Sequence, residues 1–77
     1  MNYRENFSTN IRKLRKERNM TTRALADILG ITNQAVSLLE LSKRSPSFEV
    51  LCAMADYFDV SLDNMVGRND NPDSHKL

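Results

Sequence analysis

Thr22-Arg23-Ala24-Leu25-Ala26-Asp27-Ile28-Leu29-Gly30-Ile31-Thr32-Asn33-Gln34-Ala35-Val36-Ser37-Leu38-Leu39-Glu40 is the stretch whose reading decides the fold. Leu25, Ala26 and Leu29 recur at helical spacing as an inner stripe, and Gly30 then stops the helix at a residue that turns left-handed without a Cβ penalty. Ile31 follows as an apolar plug, and Thr32 offers a hydroxyl N-cap to a second helix over 33–41. Small Ala26, Gly30 at the turn and apolar Val36 and Leu39 are what two short helices crossing steeply through a tight turn require.

At about 100° per residue, the second of these helices sets Ala35, Val36 and Leu39 on one side and Asn33, Gln34, Ser37, Leu38 and Leu41 on the other. The outer side is a candidate reading face. Asn and Gln near a helix N-terminus make paired hydrogen bonds to adenine edges in a DNA major groove, and Ser serves several bases.

Upstream, Phe7, Ile11 and Leu14 mark a first helix ending near Arg18, with Arg12, Lys13, Arg15, Lys16 and Arg18 between them. Asn19 suits a left-handed stop, and Thr21 or Thr22 caps the next helix. Downstream, Ser45 or Ser47 beside Pro46 caps a fourth helix carrying Phe48, Leu51, Cys52, Ala55 and Phe58 on one side. Val60 and Ser61 lead into a short fifth helix, Leu62 to Val66, stopped by Gly67. The spacing predicts one all-α domain over 1–67 and a flexible polar tail over 68–77, with no strand and no repeat.

The totals agree with a small globular chain. Its 77 residues allow one domain near the lower size limit for independent stability, so support from a partner subunit is reasonable. No apolar run approaches the roughly 20 residues that cross a bilayer, and the N-terminus is polar where a signal peptide turns apolar, so a cytoplasmic protein is expected. Net charge is only +1, but residues 1–44 hold nine basic side chains against four acidic ones, a balance of +5. Residues 45–77 hold two against six, a balance of −4. Such polarity sets one positive face against phosphate. Cys52 has no disulfide partner and reads as a buried structural thiol, and His75 sits in the polar tail. There is no His/Cys/carboxylate cluster, no Gly-rich phosphate loop and no nucleophile beside a base, so the expectation is neither an enzyme nor a holder of metal, cofactor or small-molecule ligand.

Across residues 7–68 the chain resembles the XRE or lambda-repressor-like (Cro/repressor-type) helix-turn-helix domains. The motifs that carry the likeness come in order: Ile11-Arg12-Lys13-Leu14-Arg15, Leu25-Ala26 with Leu29-Gly30-Ile31-Thr32, Glu40 ahead of Lys43-Arg44-Ser45-Pro46-Ser47, and Val60-Ser61-Leu62-Asp63. The resemblance implies a compact five-helix domain whose second and third helices form the helix-turn-helix, with the third entering the major groove of double-stranded DNA. It implies that Arg15 pairs with Glu40, that Thr32, Asn33, Gln34, Ser37 and Leu38 meet bases, and that Thr22, Arg23, Lys43 and Arg44 meet phosphates. Thr22 stands where many members have Gln, and Leu41-Ser42 where members often have Asn-Gly, which makes the left-handed turn there less comfortable. Leu38 replaces a residue that is usually polar.

Leu38 has three open uses: contact with a thymine methyl, cover for a neighbouring side chain, or a protein interface. Val50, Met54 and Tyr57 read as core fillers or dimer contacts, with the core favoured for Met54. One domain spans only a few base pairs, so a homodimer is expected, joined through the fourth and fifth helices by Val50, Tyr57, Leu62 and Met65. The leading function is a transcriptional repressor on a palindromic operator. The alternative is a protein-binding module of the same fold, such as an antitoxin or anti-repressor component, that uses Leu38 and Leu41 to hold its partner.

Overall fold

Each helix starts on a side-chain cap that the sequence supplies locally. In the computed structural model, which describes residues 2–68, the helices are α1 Tyr3–Glu17, α2 Thr22–Leu29, α3 Asn33–Glu40, α4 Phe48–Phe58 and α5 Leu62–Met65, with no strand among the described residues. Asn2, Thr21, Thr32, Ser47 and Ser61 each accept a hydrogen bond from the backbone N–H three residues on. That leaves fewer orphan donors at each first turn. Residues 69–77, with His75, lie outside the described residues.

The helices also end alike. Asn19, Gly30, Ser42, Asp59 and Gly67 are left-handed, with φ of 55°, 71°, 59°, 57° and 82°. In each case the next residue's N–H reaches back five positions: Met20 to Arg15, Ile31 to Ala26, Lys43 to Leu38, Val60 to Ala55 and Arg68 to Asp63. This backward closure satisfies a terminal carbonyl and turns the chain sharply. Arg68, assigned to the tail by composition, thus closes α5. Gly67 is needed twice over, since a Cβ there would also come within 2.6 Å of the Asn6 amide nitrogen.

The core draws on every helix: Phe7 and Ile11 of α1, Leu25 and Ala26 of α2, Val36 and Leu39 of α3, Met54, Ala55 and Phe58 of α4, then Val60 and Met65. Met54 is a core residue. The inner stripe of α4 differs from the expected one at its start, because Phe48 is 74% exposed and Leu51 and Cys52 are only half-buried. Phe48 is the first residue of the helix, ahead of the turn that meets the core. Cys52 is therefore not the fully buried thiol expected. Met65 must also be withdrawn from the exposed apolar surface of α5, since it is wholly buried. Asn10 of α1 donates to the carbonyls of Asn64 and Met65, and Asn6 to that of Val66, so α1 docks on the C-terminal end of α5.

Candidate nucleic-acid interface

α2 and α3 are joined only by Gly30, Ile31 and Thr32, so the left-handed φ at Gly30 fixes the angle between them. Ile31 packs partly into the core, and Val36 and Leu39 bury the inner side of α3. The outer side is set by that choice. Asn33 and Gln34 are exposed on the first turn, and Ser37 and Leu38 are half-buried one turn later. Thr32 is exposed, and its hydroxyl accepts from the Ala35 N–H at 3.0 Å while keeping its own proton to donate. Leu38 is thus not an open apolar surface; Leu41, 58% exposed at the end of the helix, is.

In chain order this face is flanked by cationic and hydroxyl side chains. Thr22 and Arg23 open α2, the first half-buried and the second exposed. Thr21 rather than Thr22 is the N-cap, accepting from the Ala24 N–H. Lys43 and Arg44 are exposed in the loop after α3. A surface of this kind presents amide donors and acceptors at a helix start, with point charges before and after it.

The far end of α3 is tied to α1. Arg15 Nε lies 2.6 Å from Glu40 Oε2 and Nη2 lies 3.0 Å from Oε1, a two-pronged contact between side chains only 12% and 7% exposed. The hydrogen bond to Glu40 holds the guanidinium's pKa above its ordinary value, against the opposing effect of burial. The same guanidinium donates from Nη1 to the Met20 carbonyl at 2.7 Å, so Arg15 also ties down the turn into α2.

Two features here were not found by reading the sequence. Ser8 is buried, donates to the Leu39 carbonyl at 2.6 Å, and accepts from the Ser42 hydroxyl at 2.7 Å. The available signal was spacing: Ser8, Ile11 and Arg15 fall on one side of α1, so a hydroxyl at position 8 faces whatever Arg15 faces. The second is Arg18, whose guanidinium lies 5.2 and 5.1 Å from the rings of Tyr57 and Phe58 and 3.4 Å from both their carbonyls. A cation over aromatic faces at a helix C-terminus is stabilising twice over, but no local pattern announces a pairing some forty positions away. Of the basic residues on α1 and its cap, Arg15 is half-buried against Glu40 and Arg18, though exposed, lies over the α4 rings, while Arg4, Arg12, Lys13 and Lys16 are exposed.

Among the described residues no cluster of His, Cys, Asp or Glu could hold a metal, and no helix is long and apolar enough to cross a membrane.

Comparison with known proteins gives the same assignment. A family model described as helix-turn-helix matches residues 11–64. The chain is 38% identical over 65 residues to YqaE, an uncharacterized HTH-type transcriptional regulator of Bacillus subtilis (strain 168), covering 84% of this chain and 56% of that protein. It is 39% identical over 56 residues to the HTH-type transcriptional regulator AnsR of the same organism, covering 73% of this chain and 48% of that one. The chain spans about half the length of these curated relatives. No solved structure matches significantly. With five helices, no strand among the described residues and this match, the chain belongs to the XRE-type helix-turn-helix family and has its lambda-repressor-like fold.

Proposed function

We propose that this chain binds double-stranded DNA sequence-specifically, with α3 in the major groove, and acts in the cytoplasm as a transcriptional repressor. The observation that carries the reading is the first turn of α3, where Asn33 and Gln34 are exposed, with the exposed cations Arg23 at the start of α2 and Lys43 and Arg44 in the loop after α3. Thr32, Asn33, Gln34, Ser37 and Leu38 are the base-reading residues, and Thr22, Arg23, Lys43 and Arg44 meet phosphates. A homodimer on a palindromic operator is the working form, with α4 and α5 supplying the contact and half-sites about 10 bp apart, one helical turn. Half-buried Val50 and exposed Leu62 and Tyr57 support that contact.

Selection of duplexes from a random pool tests the reading, followed by affinity measurements across a salt series. One enriched half-site, repeated at fixed spacing and bound with a steep salt dependence, is the expected result. No enrichment, or binding indifferent to salt, would refute it. A second reading, a protein-binding module such as an antitoxin or anti-repressor component, is favoured by the exposure of Leu41 (58%) after α3 and of Ile28 (47%) on α2. Under it, duplex selection returns nothing and charged substitution of Leu41 abolishes partner capture.

A further inference from the structure

Of the five left-handed residues that end the helices, two are glycine, one is asparagine and one aspartate; the fifth, Ser42, belongs to none of the types that favour this conformation. It also ends the helix that carries the reading face. Its N–H donates to the Leu39 carbonyl at 3.2 Å and the next N–H, from Lys43, to the Leu38 carbonyl at 3.0 Å, so the backbone of this turn is closed in the usual way. What distinguishes it is a side-chain link: Ser42 Oγ donates to Ser8 Oγ at 2.7 Å. Of the two carbonyls in reach of the Ser8 hydroxyl, that of Leu39 at 2.6 Å is nearer than that of Arg4 at 2.9 Å, one turn back on α1, so the Ser8 proton goes to Leu39. One hydroxyl buried in α1 thus holds both the last turn of α3 and the left-handed residue after it. Lys43 and Arg44 come immediately after.

We propose that Ser8 and Ser42 are positioning residues: their hydroxyl chain holds the left-handed turn that closes α3 and so fixes where Lys43 and Arg44 meet the DNA backbone. Neither serine itself touches DNA. The proposal rests on DNA binding with Lys43 and Arg44 as phosphate contacts.

The test is a double-mutant cycle on the full chain, read by thermal melting without DNA and by binding to the duplex the wild type selects. Ser8→Ala lowers the melting temperature by roughly 5 °C. At a temperature where it is fully folded, it also binds about tenfold more weakly, with a salt slope shallower by about one unit. Adding Ser42→Gly restores most of both losses, because glycine adopts the left-handed turn without the hydroxyls. Ser42→Ala, which leaves buried Ser8 in place, matches Ser8→Ala in both readouts and keeps the test decisive should that variant fail to fold. Wild-type affinity and salt slope in folded Ser8→Ala, or melting losses that merely add with no rescue by Ser42→Gly, overturn the proposal while leaving DNA binding intact. A wild-type chain that selects no duplex overturns DNA binding and the proposal with it.

Discussion

At its N-terminal end α3 is capped by one local hydrogen bond, from the Ala35 N–H to the Thr32 hydroxyl, and it presents Asn33 and Gln34 to solvent. At its C-terminal end Glu40 and the Leu39 carbonyl are tied to Arg15 and Ser8, residues 25 and 31 positions away in the chain. The two ends divide the work. Polar groups at the first turn are exposed and available to a ligand, whereas those at the last turn are consumed in fixing the helix to α1. Substitutions at the far end should therefore change stability, and those at the near end should change binding alone.

Glu40→Ala puts the most weight on this division. It leaves the Arg15 guanidinium, 12% exposed, without its carboxylate, and for a pair this deeply placed the expected cost is about 3 kcal/mol. Melting followed by circular dichroism should fall by roughly 12 °C or more. Wild-type melting would mean that water replaces Glu40 at no cost. Replacing both partners with apolar residues, Arg15→Met with Glu40→Leu, sharpens the comparison, since an apolar pair of similar volume recovers most of the stability.

Gln34→Ala is the counterpart at the open end. Its amide offers a donor and an acceptor together, matching the N6 and N7 edge of adenine, so the loss on the selected duplex should be about 1–3 kcal/mol, with relaxed selection at one base pair. Melting without DNA should stay within about 0.5 kcal/mol of wild type, as for other exposed sites. Loss of stability together with binding at this exposed position would break the division.

The same contrast governs what could be read from the sequence. The open end is written locally: Thr32 three residues before Ala35, Gly30 at the left-handed turn, and Val36 and Leu39 at helical spacing all lie within one short window. The Arg15–Glu40 contact was anticipated only through family resemblance, because nothing in spacing joins two charges 25 positions apart. Ser8 and Arg18 escaped for that reason too, their partners lying on other helices. Met65 and Phe48 were misplaced because apolar type alone does not say which side of a short helix, or which end of a longer one, meets the core.

Gly30→Ala tests the local half of that statement at a smaller scale. No atom lies within 4 Å of where a Cβ would stand, so the substitution meets only the cost of a left-handed alanine, about 1 kcal/mol. Gly67→Ala, which carries the same backbone cost and also strikes Asn6, should lose clearly more in the same melting experiment. Equal losses at the two sites would show that the Asn6 side chain yields freely.

Leu38 carries the smallest expected effect and lies between the two ends. It sits one turn beyond Gln34 and is half-buried, so truncation removes packing as well as any surface it offers to a groove. Leu38→Ala alone cannot separate these, because lost stability and lost contact both weaken apparent binding. The separation comes from the DNA. Replacing one thymine by uracil removes a single methyl and leaves the protein unchanged, so a leucine seated on that methyl loses at most about 1 kcal/mol at one A·T position. The same substitution should cost Leu38→Ala nothing further, since its contact is already gone. If uracil at every A·T position of the half-site is tolerated equally by both proteins, Leu38 belongs to the scaffold end of α3, and the boundary between reading and fixing falls just after Ser37.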